Sequence, residues 1–164
     1  MISEVHRSLA LDRVGQDGTI ALVLADPAEL PAVAARLGIL AIHALHCEFR
    51  LRRIGGSVVE GQGQLTASLT QTCVVSLEDF DSLVEDTFTV HFVPAGTEDE
   101  DSEPDAPDQI PFEGAVIDLG EAAVEQLALA LDPYPRKPGA ALAADALDAP
   151  AGAFAGLAAL RTRQ

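Results

Sequence analysis

The chain has 164 residues, the length of a single domain, and its 48% of hydrophobic residues can build a packed core. Its net charge of −16 excludes a globally basic nucleic-acid binder, because phosphate contacts need Lys and Arg. Two cysteines exclude a multi-disulfide scaffold. The sequence also lacks a signal-peptide pattern and an apolar run long enough to span a membrane, so we expect a cytoplasmic protein without membrane contacts.

The charge is segregated along the chain. Residues 1–53 hold six bases and six acids, residues 54–135 hold eighteen acids and no base, and residues 136–164 hold four bases and two acids. The densest acid lies in residues 98–108, so we expect a disordered acidic loop over residues 95–113. Such a run is either a solvated insertion or a means of holding a basic partner.

The N-terminal part predicts strands separated by one helix. Asp26 is a candidate cap for this helix, Pro27 fits its first position, and Glu29 completes the capping pattern. Gly38 supplies a left-handed stop. The strands expected here cover residues 4–11, 19–24 and 39–54, the last with a break.

The clearest period-two pattern covers residues 59–73. Apolar residues and glycines alternate with Gln, Thr and Ser, as in a half-buried antiparallel strand. Gly61 and Gly63 indicate a bulge or the close approach of another backbone. A second strand ends at Pro94, and the connection over residues 74–83 is too short for a crossover helix, so the two strands should be antiparallel.

The C-terminal part predicts a short strand over residues 115–117 and a second helix. Asp118 and Glu121 have capping-box spacing, and the prolines Pro133 and Pro135 end the helix. Its expected buried stripe is Val124, Leu127, Ala128 and Leu131.

These elements predict an α+β fold in one domain over residues 1–137. We expect a largely antiparallel sheet of about five to seven strands, with two main packing helices near residues 27–37 and 119–131. Residues 138–150 are interpreted as a flexible linker. Residues 151–164 are interpreted as a short amphipathic C-terminal helix that docks on the domain or on a partner.

Catalysis and metal binding have little support in the sequence. His46 and Cys47 are adjacent, so on a strand they point to opposite faces, and no zinc-type ligand spacing occurs. No phosphate-binding glycine motif is present, and we expect no cofactor. Cys73 is interpreted as a small buried hydrophobe, although an enzymatic or small-molecule site near Cys73 is the alternative.

Basic residues are the candidate contacts to RNA or another partner. Arg50 and Arg52 should share one face of a strand and Arg53 the other, either as a solvated surface or as a phosphate-binding patch. The candidates that could extend this patch, if the fold brings the flanks together, are Arg136, Lys137, Arg161 and Arg163.

Several segments in order carry a resemblance. They are GQGQLTASLTQTCVVSLEDF, FTVHFVP, the acidic loop, IDLGEAAVEQLALALDPYPRKPG and AFAGLAALRTR. Together they resemble the YceD-like family of large ribosomal RNA subunit accumulation proteins. Relatives often have a second cysteine three residues after the equivalent of Cys73, where this chain has Ser76, and some have further C-terminal cysteines that are absent here. If zinc serves those relatives, the resemblance implies that this chain lacks it. The family-motif or docking residues that it singles out are Cys73, Asp118, Pro133, Tyr134, Pro135, Phe154, Leu157 and Leu160.

The resemblance implies a non-catalytic factor for the synthesis, processing or assembly of large-subunit ribosomal RNA. The expected partners are a large-subunit ribosomal RNA precursor, a basic ribosomal protein, or both. An all-acid middle repels phosphate and attracts a basic protein, so the charge map favours the protein partner and leaves RNA contact to the flanks. A role of the acidity in solubility alone is the third reading.

Overall fold

The structure is a computed structural model that describes residues 4–98 and 106–141. Within these ranges the chain forms an α+β fold with seven strands and two α-helices. A single 3-10 turn covers Leu11–Arg13. The elements in chain order are β1 (Ser8–Ala10), β2 (Thr19–Leu24), α1 (Leu30–Leu37), β3 (Ala41–Gly55), β4 (Val58–Thr72), β5 (Asp79–Pro94), β6 (Asp108–Phe112), β7 (Val116–Asp118) and α2 (Leu119–Ala130).

The main sheet has five strands in the order β2-β3-β4-β5-β6, and β1 and β7 form a separate antiparallel pair. The first four strands of the main sheet are antiparallel neighbours, whereas β6 pairs with β5 in parallel. The prediction of a largely antiparallel sheet is confirmed, with this one parallel pair as a difference. The break expected in the third strand appears as a register shift between Ile42 and Ala44.

One face of the main sheet forms the core with both helices. The fully buried side chains include Phe49 and Leu51 of β3, Leu65 and Leu69 of β4, and Leu127 of α2. Burial of this apolar face is the main favourable term for the fold. We call this side the inner face and the opposite side the outer face.

The period-two prediction for β4 is confirmed, because its odd-numbered residues from Val59 to Gln71 are all buried. The glycines have a different role from the one predicted. The register of β4 with both neighbours is continuous at Gly61 and Gly63, so there is no bulge. The group that approaches Gly63 is the Phe88 ring, not another backbone.

Helix α1 begins at Leu30, so the predicted start at Asp26 and Pro27 is wrong. Residues 27–29 form a turn, in which the Glu29 carboxylate accepts a hydrogen bond from the Asp26 N–H at 2.7 Å. Pro31 takes the early helical position instead. Gly38 ends the helix in the left-handed region at φ 66°, as predicted.

Two boundaries differ because edge pairing is not visible in local sequence. Strand β5 begins at Asp79, so the β4–β5 connection covers only residues 73–78 and not 74–83. Strand β6 lies within the predicted acidic loop over 95–113, because residues 108–112 pair with β5 and bury Phe112. The predicted first strand over residues 4–11 is reduced to β1.

Helix α2 has the predicted cap. Asp118 accepts hydrogen bonds from the N–H groups of Gly120 and Glu121, at 3.0 and 3.3 Å. The same carboxylate binds the Arg7 N–H and the His6 ring, which ties the N-terminal segment to the helix. Burial raises the pKa of Asp118, but these hydrogen bonds outweigh it and hold the pKa below its ordinary value.

The buried face of α2 is rotated from the predicted stripe. Val124 and Leu127 are buried as expected, and Leu131 is half-buried, but Ala128 is exposed. The additional buried positions include Ala122 and Ala123, since the N-terminal segment and the sheet contact the helix from two directions.

Candidate functional site

The outer face of the main sheet is a polar surface, because both helices pack on the inner face. The side chains of β4 on this face are Glu60, Gln62, Gln64, Thr66, Ser68, Thr70 and Thr72. A shallow groove crosses the face between Arg50 of β3 and Thr87 and Thr89 of β5. This face offers many hydrogen-bonding groups along β3, β4 and β5. Its exposed apolar side chains lie mainly on the edge strand β2, with Leu83 on β5.

Carboxylates dominate the end of the outer face near the β4–β5 turn. Asp79 and Asp81 of β5 are exposed there, and Glu85 is exposed on the same face further along β5, opposite Thr66 and beyond the exposed Leu83. The Thr70 hydroxyl donates to Asp81 at 2.6 Å, and the Thr72 hydroxyl donates to Asp79 at 2.8 Å. These cross-strand hydrogen bonds hold two of the three carboxylates in fixed positions. We call Asp79, Asp81 and Glu85 the acidic cluster.

Arg50 and Arg52 lie on the outer face, as their alternation predicts. Each is mostly exposed and has a carboxylate nearby: Arg50 Nε lies 3.6 Å from Glu48, and an Arg52 guanidinium nitrogen lies 3.2 Å from Glu60. These two carboxylates and the acidic cluster outnumber the two arginines on this face. The outer face is therefore acidic overall, and its arginines are already paired.

Arg53 is on the other side of β3 and has a structural contact. Its guanidinium donates a hydrogen bond to the Leu11 carbonyl in the 3-10 turn, and its Nε is buried without a partner in the described part of the chain. Arg53 therefore does not share a surface with Arg50 and Arg52.

The basic candidates near residue 136 lie at the opposite end of the sheet. Lys137 Nζ pairs with Glu78 at 3.0 Å, beside the β4–β5 turn, whereas Arg52 lies opposite Glu60 at the far end of β4. Twelve residue-to-residue steps of strand lie between Glu60 and Thr72, which corresponds to roughly 40 Å. The structure therefore does not join Arg136 and Lys137 with Arg50 and Arg52 into one patch.

The segment after α2 packs beside the β4–β5 turn. The Val74 N–H donates to the Pro135 carbonyl at 2.9 Å, and Asp132 accepts from the Tyr134 N–H at 2.8 Å. Pro133 and the Tyr134 side chain are exposed. The remaining candidates, Phe154, Leu157, Leu160, Arg161 and Arg163, lie outside the described residues.

Cys73 is buried at the start of the β4–β5 turn. Its sulfur accepts hydrogen bonds from the N–H groups of Val75 and Ser76, both at 3.4 Å. Hydrogen bonding from Ser76, with smaller contributions from the Lys137 and Val75 backbone, lowers the pKa of the Cys73 thiol to about 6. Burial raises the pKa of Cys47 to about 12, so the two thiols differ strongly.

The histidines have contacts away from Cys73. His6 binds Asp118, His43 hydrogen-bonds to Thr70 at 2.7 Å on the outer face, and His91 faces Glu60. No group of three or more His, Cys, Asp or Glu side chains that could hold a metal ion occurs in residues 4–98 and 106–141.

An apolar stripe on β2 was missed in the sequence analysis. Ile20, Leu22 and Leu24 point outward from this edge strand and are more than half exposed, while Val23 is buried. The sequence did contain a signal for this stripe, because apolar residues occupy both faces of the strand. A strand with only one buried face needs apolar residues on that face alone.

The fold and the outer face define an α+β domain with an acidic, polar sheet surface. The described part of the chain has no helix long and apolar enough to cross a membrane. The model of the family described as large ribosomal RNA subunit accumulation protein YceD matches residues 61–158. This match covers more than half of the chain, which therefore belongs to the YceD family. No curated protein and no solved structure matches the chain.

Proposed function

We propose that the protein is a non-catalytic factor for the accumulation of large-subunit ribosomal RNA, and that it acts by binding a basic ribosomal protein through its outer face. The proposed role in ribosomal RNA accumulation rests on the match to the YceD family over residues 61–158, because the description of this family names large ribosomal RNA subunit accumulation. The contact itself is inferred from the charges of the sheet.

The acidic cluster supports a basic protein as the direct partner. Asp79 and Asp81 are held by threonine hydroxyls, so their carboxylates need little reordering when a Lys or Arg side chain binds. Phosphate would be repelled by the same groups. The nearby arginines lie beside Glu48 and Glu60, and these carboxylates oppose the approach of phosphate to Arg50 and Arg52.

The test is recovery of ribosomal proteins and precursor RNA from cell lysate with the intact protein as bait, analysed by mass spectrometry and RNA sequencing. A triple variant, Asp79→Asn, Asp81→Asn and Glu85→Gln, should lose most of the recovered basic protein. The matched control changes three exposed acids elsewhere, Asp12→Asn, Asp17→Asn and Glu113→Gln, and should retain it. Binding should weaken steeply with salt.

A second pair of variants separates protein contact from RNA contact. Arg50→Gln with Arg52→Gln should leave protein recovery intact, and Arg53 is left unchanged because it packs on Leu11. Loss of RNA with retained protein would assign RNA contact to the arginines. Equal recovery by the acidic-cluster variant and its control would refute the proposed interface, and recovery of neither ribosomal protein nor precursor RNA would refute the function.

A further inference from the structure

An apolar groove lies at the end of the sheet, between the turn after α1 and the C-terminal end of α2. Leu37, Ile39 and Leu40 line one wall, and Ala128, Leu131 and Pro133 line the other. Val74 of the β4–β5 turn closes one side, and Asp132 lies on the rim. We call this the C-terminal groove. Gln71 and Thr72 of β4 also line the groove, and the Thr72 hydroxyl binds Asp79, so the groove borders the acidic cluster.

The groove exposes apolar side chains that no described segment covers. Leu40 is 59% exposed and Val74 is 45% exposed, although both follow elements that are otherwise well packed. Clustered apolar exposure indicates a contact surface more often than isolated exposure does. The groove is therefore a candidate contact surface.

We propose that the occupant is the chain's own C-terminal segment, residues 151–164, which docks through Phe154, Leu157 and Leu160. The Pro135 carbonyl binds the Val74 N–H, so the chain runs along the groove just before its last described residue, Ala141. The described part of the chain therefore ends six residues after Pro135, which lines this groove.

The chain between Ala141 and Phe154 is long enough to reach the groove. Twelve residues lie between Ala141 and Phe154, and these thirteen Cα–Cα steps span up to about 43 Å when extended and about 20 Å as a flexible chain. The groove is a few residues from the start of this stretch. Tethering of this kind gives an effective concentration on the order of millimolar, which favours docking within the chain over docking of a second molecule.

The segment also complements the groove in its apolar side chains and in its charge. Phe154, Leu157 and Leu160 recur every three residues, so they can present a continuous apolar edge to the groove. Residues 151–164 carry Arg161 and Arg163 and no acid, opposite in sign to Asp132 on the rim. The YceD family match covers residues 61–158. It therefore includes Val74 at the side of the groove and two of the three docking residues, Phe154 and Leu157.

The test uses the full chain and its lack of tryptophan. A Phe154→Trp variant carries a single tryptophan, and Leu157→Trp is a second reporter in case the larger ring does not fit at position 154. In the native protein the emission should lie at shorter wavelength than in urea, and should not change on tenfold dilution. Tyr134 lies near the groove, so energy transfer to the tryptophan should also be efficient.

A matched pair of groove variants makes the test specific. Leu40→Asp changes an exposed leucine in the groove, and Leu129→Asp changes an exposed leucine on α2 outside it. We expect Leu40→Asp to shift the emission to the unfolded-chain wavelength and to abolish the energy transfer, and Leu129→Asp to leave both unchanged. Circular dichroism confirms that both variants are folded.

Several outcomes would overturn the proposal. A solvent-exposed tryptophan at both positions means that the segment does not dock. Emission that changes on dilution means that a second copy supplies the segment. Equal responses to the two leucine variants mean that the segment binds elsewhere, and burial of the tryptophan only after addition of a basic ribosomal protein means that the partner holds it.

Discussion

The packing of Phe88 against Gly63 gives the sharpest stability prediction. Gly63 lies between Phe49 on β3 and Phe88 on β5, and the Phe88 ring occupies the space that a side chain at position 63 would take. The two rings form an edge-to-face pair with centroids 5.7 Å apart. A Gly63→Ala change places a methyl group inside contact distance of the Phe88 ring, so the ring must leave its position.

The magnitude follows from three terms. Overpacking of a core site costs about 1–3 kcal/mol, and loss of the aromatic pair costs about 0.5–1.5 kcal/mol. The reduced backbone freedom of Ala in the unfolded chain returns about 0.5–1 kcal/mol. We therefore expect Gly63→Ala to lower the free energy of unfolding by about 2 kcal/mol, measured by urea denaturation.

Gly61→Ala is the control for this prediction, and a Phe88→Leu background tests whether the Phe88 ring causes the cost. At Gly61 an added Cβ would lie 3.0 Å from Phe92 Cε2, which a small ring shift relieves, so Gly61→Ala should cost less than Gly63→Ala. In a Phe88→Leu background the Gly63→Ala cost should fall by more than half. If the cost is the same in both backgrounds, the Phe88 ring is not the cause and the reasoning is wrong.

Three further predictions concern the contact of the N-terminal segment with α2, the ion pairs of Arg36, and the thiol of Cys73. Gly120→Ala places a methyl group against the Val5 carbonyl, which is backbone and cannot rotate away, so it should destabilise more than Gly63→Ala in the same assay. Arg36→Met removes the ion pairs of this guanidinium with Glu4 and Glu121 and should cost about 1–2 kcal/mol in urea titrations, less at high salt. The pKa of Cys73, about 6, predicts thiolate absorbance that rises through pH 6 and disappears in Cys73→Ser. Because this pKa is lower than in the unfolded chain, the stability advantage of wild type over Cys73→Ser should grow from pH 6 to pH 9; a flat difference would contradict the lowered pKa.

The sequence predicted the elements whose pattern is local. Apolar residues or glycines alternate with polar residues along β4, so the sequence itself predicts which residues of this strand are buried. Asp118 and Gly38 were recognised because capping depends on a few adjacent residues. The start of α1 was misplaced because Asp26, Pro27 and Glu29 satisfy a capping pattern that the chain uses for a turn before the helix.

The elements that depend on distant partners were not predicted. Strand β6 looks like part of an acidic loop until it is placed beside β5, and the early part of β5 resembles a connection until it pairs with β4. The role of Gly63 also required the structure. A glycine in a strand signals a close approach, but only the fold shows that the Phe88 ring makes it.

The charge segregation in the sequence becomes a directional surface in the fold. Strands β4 and β5 come from the stretch without bases, and their outward residues place the acidic cluster at one end of the sheet. Strand β3 comes from the neutral N-terminal part, yet its outward arginines face Glu48 and Glu60 and are neutralised there. A basic protein would therefore meet an end of the sheet where the acidic cluster outnumbers the nearby cation Lys137, whereas RNA would meet arginines that lie beside carboxylates. For this reason the protein partner is the one expected to bind the sheet directly.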